Sequence, residues 1–381
     1  MFRVLVLGGY GNFGARICRA LAADQGIAVI AAGRHCSDAL HTKTFAASLA
    51  PRISRLQIDM GLPDFAARLA ACQAHLVIHC VGPYQAQAMT VARACATARI
   101  HYLDLADGRD FVINFSREMA EEARQAGIFM ASGASTLPAL SSAVVDRAAK
   151  SLAQIDSIQS VIAPGQHAPR GRATLEAVFS YAGKPVRVWR DGAWQTDTGW
   201  LGLRQARVEG LKPRLAAVCE VPDQTLFPQR YAGVRTVEFH AALEIAIQHY
   251  AIAALAWLIA CGVPLKLKPF AGIMETVAHW LDPLGSGTGG MLVKVTGRDA
   301  QGKAAAREFH LLALNNHGPE IPVMPAILLT RKLARAALTG SPFAPPGAYA
   351  CMGFLTLDDF ASEFAKWGIT TQWLITEGPA A

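Results

Sequence analysis

The sequence predicts an α/β protein: an N-terminal doubly wound parallel sheet, then a second α+β domain, then C-terminal helices. Three observations carry that expectation. Short apolar runs alternate with amphipathic helical stretches over the first third of the chain. A glycine-rich turn joins the first such run to the first helical stretch. Beyond Ala134 the alternation gives way to paired strand-like runs with hairpin-turn residues between them.

Phe2–Leu7 is short, apolar and β-branched, a first strand, and Asn12–Ala23 follows with helical spacing. Ile27–Ala32 reads as strand, Asp38–Leu49 as helix, Ile53–Ile58 as strand, and Asp64–Cys72 as a short helix capped by Asp64. His75–Cys80, His101–Leu105 and Ile128–Ala131 complete six strands, with helices at Gln85–Thr97 and Asn114–Gln125 between them. Strands without internal polar alternation, separated by amphipathic helices, belong in a parallel sheet covered on both faces. Right-handed crossovers then make the doubly wound arrangement the leading solution.

A helix at Leu140–Ala153 opens the second domain. Arg190-Asp191-Gly192-Ala193 marks a hairpin inside Lys184–Gln195, and Met291–Gly297 with Glu308–Leu314 forms a second hairpin. Between them lie helices at Ala242–Cys261 and Phe270–Leu281, while Gly285–Gly290 reads as a flexible loop. Pro325–Leu338 and Leu357–Trp367 are the C-terminal helices. The expected division is 1–134, 135–324 and a helical segment, 325–381, packing back on the first domain.

With 381 residues, the chain is longer than one hydrophobic core usually organises. A hydrophobic fraction of 52% and a mean hydropathy of +0.24 exclude a disordered protein. Charged residues make up 17%, below the usual value of about 25%, so apolar surface is left for contacts between copies or a membrane-facing patch. The net charge of +7 is scattered, with no run resembling a nucleic-acid arm; an anionic small molecule accounts for it better. Eight cysteines without CxxC or metal spacing fit a reducing, cytoplasmic setting with no disulfide framework and no metal. The apolar run Ala251–Val263 is too short to span a bilayer, which takes about 20 residues. Apolar all round, it calls for burial on every side, by the domain's own core, a second subunit, a hydrophobic substrate tunnel or a membrane surface. A homodimer through the second domain is the first choice.

Gly9-Tyr10-Gly11-Asn12-Phe13-Gly14 is GxGxxG, placed after a strand and at the start of a helix, the context that gives it meaning. Gly9 permits the tight turn, Gly11 lets a pyrophosphate approach, and Gly14 allows helix–strand packing, while Asn12 and Phe13 lend helix N-terminal amides. This is the dinucleotide-binding, or Rossmann, fingerprint. An NAD site places an acid about 20 residues further on, at the ribose 2′-hydroxyl. Here Gly33-Arg34 stands at the end of the second strand, and a guanidinium fork suits a phosphate, so NADP(H) is the expected cofactor. Asp59, after the third strand, is placed beside the adenine. Gly8, Gly11 and Gly14 also fit GxxGxxG, but no tyrosine has a lysine four positions on, which removes the chemistry of short-chain reductases.

Val77-Ile78-His79-Cys80-Val81-Gly82-Pro83-Tyr84, Ala94-Cys95 with His101–Leu105, Gly33-Arg34, and Gly133-Ala134-Ser135-Thr136-Leu137-Pro138 carry a further likeness. Over about its first 145 residues the chain resembles saccharopine dehydrogenase-like oxidoreductases. That resemblance implies an NADP-type Rossmann domain joined to an α+β domain, with the active site in the cleft between them. It does not fix the substrate.

Ligands of a doubly wound sheet sit at the carboxyl ends of the strands. Cys80, Val81, Gly82 and Pro83 therefore belong beside the nicotinamide, with Tyr84 as candidate proton donor. His317 and Glu320, in a Gly-Pro loop, are candidate acid–base groups, as are His240 and Glu244, one turn apart at a helix start. Arg109 is available to a substrate carboxylate, and Ser135 and Thr136 to the cleft. The expected function is hydride transfer from NADPH to a small imine, carbonyl or activated alkene. Two rivals stand beside it: an enoyl reductase on a lipid-like or polyketide-like substrate, and a non-catalytic NADP-binding regulatory protein.

Overall fold

The computed structural model describes residues 1–85, 87–169, 172–265, 267, 269 and 271–377. The chain divides into two compact units, Met1–Ala139 with Glu320–Leu355, and Leu140–Pro319 with Thr356 onward. The C-terminal segment is therefore not one helical piece. Its first half joins the N-terminal unit and its second half the other.

In the N-terminal unit the six expected strands form: β1 (Phe2–Leu7), β2 (Ile27–Gly33), β3 (Ile53–Gln57), β4 (Leu76–His79), β5 (His101–Asp104) and β6 (Phe129–Ser132). A seventh, β15 (Gly347–Ala350), was not expected and pairs with β6. The order is β15-β6-β5-β4-β1-β2-β3, parallel throughout, and the order in which successive strands are added reverses between β1 and β4. The strands are apolar on both faces because helices cover both: Val4, Leu5, Val6, Leu76, Val77, Ile78 and Leu103 are fully buried. The helices are α1 (Asn12–Ala22), α2 (Asp38–Thr44), α3 (Phe65–Ala71), α4 (Thr90–Ala98), α5 (Arg109–Ala126) and, after the return, α11 (Met324–Thr339). Gly127 and Gly340 end α5 and α11 in the left-handed conformation that glycine supplies without strain. Asp64 does not cap α3 as expected; its carboxylate takes Arg68 Nε at 2.6 Å. The helix expected from Gln85 starts only at Thr90, because Gln87 Nε2 ties the preceding turn to Val81 O (2.7 Å) and Pro83 O (3.2 Å).

The C-terminal unit is a mixed sheet in the order β10-β11-β12-β7-β13-β14-β16, with β8 and β9 attached beside β12. Both expected hairpins form: β8 (Pro185–Arg190) with β9 (Ala193–Thr198), and β13 (Gly289–Arg298) with β14 (Ala304–Ala313). β7 (Gln154–Ala163), β10 (Arg204–Ala206), β11 (Arg214–Val218), β12 (Thr236–Ala242) and β16 (Thr370–Glu377) were not read from the sequence. The core holds Ile158, Val237, Met291, Val293, Val295 and Phe309, against α6 (Ser141–Ala149) and α8 (Asp223–Arg230). Two further helices are α7 (Arg172–Tyr181) and α10 (Ala271–Trp280); Phe270, the expected start of the latter, lies outside the described residues. α12 (Ala361–Lys366) closes the expected C-terminal pair. All seven tryptophans belong to this unit.

One expectation is corrected here. The glycine loop before β13 is not loose: Glu244 accepts Ser286 Oγ (2.6 Å), Ser286 N (3.0 Å) and Gln166 N (2.6 Å), and Arg214 pairs with the same carboxylate at 3.3 Å. Within the single chain the apolar helix α9 (Ala246–Ala260) is not buried on every side. Its small residues Ala253 and Ala256 and its His249 turn inward, leaving Ile247, Tyr250 and Trp257 more than half exposed. No helix among the described residues is long and apolar enough to cross a membrane.

Candidate functional site

The glycine turn is built by close contact. Gly8 takes φ +82° and accepts the Gly11 N–H at 2.9 Å, while Gly8 and Gly9 both donate to Ala32 O at the end of β2 (2.9 and 3.0 Å). A Cβ on Gly9 would come within 2.9 Å of Ala31 Cα. A Cβ on Gly14 would reach 2.8 Å from the Gly8 carbonyl carbon and closer still to its oxygen. At Gly11 only the Gly8 oxygen lies near, at 3.2 Å, so this is the open side of the turn. α1 starts there with no capping side chain and no acid in its first turn, leaving the amides of Asn12, Phe13 and Gly14 aimed outward. This cradle fits a pyrophosphate.

At the end of β2, a Cβ on Gly33 would lie 3.6 Å from the Tyr10 ring. His41 Nε2 faces Ala50 O at 3.1 Å and must donate to it, so Nδ1 accepts the Tyr10 hydroxyl at 3.2 Å. Burial pushes the Tyr10 phenol up to about 12. Arg34 is exposed, and no acid pairs with its guanidinium among the described residues. Its carbonyl accepts Gln57 Nε2 at 3.1 Å. Asp59 lies just past β3, where its carboxylate takes Gly61 N at 2.9 Å. Arg55, which the sequence reading passed over, projects from β3 opposite Ala31 and reaches the same loop, with Nη1 3.5 Å from Cys36 O.

Cys80, Val81, Gly82 and Pro83 follow β4 and are half-buried, with the Gly82–Pro83 peptide cis. They meet the glycine turn directly: a Cβ on Gly8 would touch Val81 Cγ2 at 3.0 Å. Tyr84 is a different matter. Its ring is buried between His79 and Phe111, and its hydroxyl donates inward to His79 O at 2.7 Å. Burial holds its proton far above the ordinary phenol range.

Beneath the carboxyl edge lies a polar network that sequence reading did not assemble. Asp104 Oδ1 accepts Ala106 N (2.9 Å), Gly133 N (2.8 Å) and Ser132 Oγ (2.9 Å), and Oδ2 accepts the Tyr102 hydroxyl (3.0 Å). With its O–H donated to Asp104, the Tyr102 oxygen can only accept from His79 Nδ1 at 3.1 Å, which fixes that imidazole's tautomer. Burial raises Asp104 to about 6 and lowers His79 to about 4. Arg109 is buried at the first position of α5, and Thr136 is buried beyond β6 with Ser135 half-buried beside it.

The other candidates separate. Glu320 is buried and paired with Arg16 of α1, whereas His317 Nδ1 donates to Trp367 O at 2.6 Å. They do not form an acid–base pair. His240 lies on strand β12, not at a helix start; its Nδ1 accepts from Arg204, which in turn pairs with Glu238 at 3.1 Å. Burial and Arg204 lower His240 to about 4. Glu244 is committed to the glycine loop described above.

Residues 4–131 match the protein family described as the saccharopine dehydrogenase NADP-binding domain. Among solved structures, the chain is similar to apo saccharopine dehydrogenase (L-Glu forming) from Saccharomyces cerevisiae: TM-score 0.66, 16% identity, covering 99% of this chain and 100% of that one. It is also similar to homospermidine synthase from Legionella pneumophila in complex with NAD: TM-score 0.64, 9% identity, covering 98% and 91%. At such identities the likeness establishes the fold. A comparison with curated protein sequences finds no match.

Proposed function

With residues 4–131 carrying the saccharopine dehydrogenase NADP-binding domain, we propose that this chain is an NADP(H)-dependent oxidoreductase acting on a small imine, carbonyl or activated alkene. The observation that carries the reading is the glycine cradle combined with the Arg34 guanidinium, which stands where an NAD site would hold an acid and pairs with no acid among the described residues. When bound, the nicotinamide supplies or takes up the hydride.

The chain's own residues bind and orient. The amides of Asn12, Phe13 and Gly14 hold the pyrophosphate, Arg34 takes the 2′-phosphate, and Asp59 stands on the adenine side. The turn from Cys80 to Pro83 lines the nicotinamide side, held in shape by Gln87 and by the inward bond of Tyr84. Tyr84 is thus a positioning residue, and Glu320 acts likewise by neutralising Arg16 on α1. His317 keeps its place as candidate acid–base group: donating Nδ1–H to Trp367 O leaves Nε2 as the basic nitrogen.

Arg34→Ala is expected to weaken NADPH binding by about 10- to 100-fold, the loss of one charge-assisted contact, and to leave NADH binding unchanged. Fluorescence titration with both nucleotides checks it; equal losses for the two would remove Arg34 from the 2′-phosphate. NADPH oxidation across a panel of imines, ketones and enoyl compounds then identifies the substrate class. No turnover with any of them favours a regulatory protein.

The exposed Ile247, Tyr250 and Trp257 favour a second feature, a homodimer through α9. The same apolar surface would suit the enoyl-reductase reading, with a lipid-like substrate in place of a second copy. Trp257→Glu is expected to give a monomer that still binds NADPH, since α9 belongs to the C-terminal unit. Light scattering that finds the unmodified protein already monomeric at micromolar concentration would end the dimer version. The eight free cysteines fit a reducing location, the cytoplasm.

A further inference from the structure

Arg55 is the second cation at the end of β2. The register of β2 on β3 sets it opposite Ala31, two residues before Gly33, and its guanidinium reaches over the loop from Arg34 to Ser37 to lie 3.5 Å from Cys36 O. Its partner there is Asp38, the first residue of α2, whose carboxylate is 89% exposed. The Arg55 side chain is itself 37% exposed. An ion pair so open to water holds its members weakly. A phosphate monoester carries close to two charges and accepts bidentate guanidinium bonds, so it outcompetes a single solvated carboxylate.

Resting on the NADP(H) reading above, we propose that Arg55 is a second ligand for the ribose 2′-phosphate, held by Asp38 until that phosphate arrives. Among the described residues Arg34 stands without an acid and is ready at once. Arg55 must exchange one anion for another, and Asp38 therefore sets how strongly the site prefers the phosphorylated nucleotide. Sequence position concealed this, because Arg55 sits mid-strand and far in the chain from the glycine motif. Only the strand register brings it to the loop.

The test titrates NADPH, NADH and 2′,5′-ADP against the full-length protein and its variants, following nucleotide fluorescence for the first two and competition for the third. Arg55→Ala is expected to weaken NADPH and 2′,5′-ADP by about 10-fold or more and to leave NADH within twofold. Asp38→Asn is expected to tighten NADPH by roughly two- to fivefold, the release of a surface pair, again without effect on NADH. Because Asp38 is exposed, this second variant keeps the proposal testable even where Arg55→Ala folds poorly. If Arg34→Ala costs NADPH affinity while Arg55→Ala and Asp38→Asn change nothing, this inference fails and the NADP(H) reading survives. Equal losses of NADPH and NADH on Arg55→Ala make Arg55 structural and also overturn it. An unmodified protein that binds neither nucleotide overturns both.

Discussion

Asp104→Ala is expected to destabilise the N-terminal unit by about 3 kcal/mol or more, since it leaves several buried donors without an acceptor. Those donors are the amides of Ala106 and Gly133 and the hydroxyls of Ser132 and Tyr102, all gathered on one carboxylate with no solvent exposure. A thermal unfolding scan would register the loss as a fall of roughly 6–12 °C. A change below 1 °C would show that the network does not organise the loops after β5 and β6.

The pH dependence sharpens this expectation. Asp104 titrates near 6 in the fold against an ordinary value of 3.8, so the folded chain holds its proton longer than the unfolded one. Its contribution is full below about pH 4 and is lost as pH rises through 6. His79 runs the other way. It titrates near 4 in the fold against 6.5, and the unfolded chain takes up its proton first as pH falls. Its contribution is full above 6.5 and is lost as pH falls through 4. In the native protein the two gradients oppose one another between pH 4 and 6. Asp104→Asn removes one of them, and the stability of this unit should then climb with pH across that window. A flat profile in the variant would show that His79 is not the opposing group.

Gly14→Ala is the second large effect. The added methyl meets the backbone of Gly8 and Gly9, not a movable side chain, so α1 must shift away from the turn. NADPH affinity is expected to fall by 100-fold or more, about 3 kcal/mol, because the shift displaces the cradle amides. Tryptophan emission reports the C-terminal unit alone, all seven tryptophans lying there, and should be unchanged. Retention of NADPH binding would mean that the pyrophosphate does not rest on this turn.

The N-terminal sheet was legible because its strands are buried on both faces and read as continuous apolar runs, β1 and β4 above all. The glycine motif was legible because turn, approach and packing each demand glycine at one position. β12 was not legible. Its sequence TVEFHAA puts Glu238 and His240 on one face, where Arg190 and Arg204 pair with Glu238 and Arg204 donates to His240, so pattern alone suggested a polar helix start. β16 is exposed along nearly its whole length and offers no burial pattern to read. Within the site, residue type and position were visible but direction was not. Tyr84 sits where a proton donor belongs, yet its hydroxyl turns inward to His79 O. His317 and Glu320 are three apart in sequence, yet their side chains go to Trp367 and Arg16.

The return of the chain to the parallel sheet has a consequence during synthesis. β15 completes the edge beside β6, with Gly347–Ala350 in register with Phe129–Ser132, and α11 belongs to the same unit. A ribosome adding 5–20 residues per second needs roughly 10–40 s to make the intervening stretch of about 200 residues. Throughout that interval β6 is an open, mainly apolar edge of the nascent sheet, able to pair with any other extended chain. The nucleotide-binding half is thus begun first and finished late, and chaperone protection matters most for the chain while β6 waits for its neighbour.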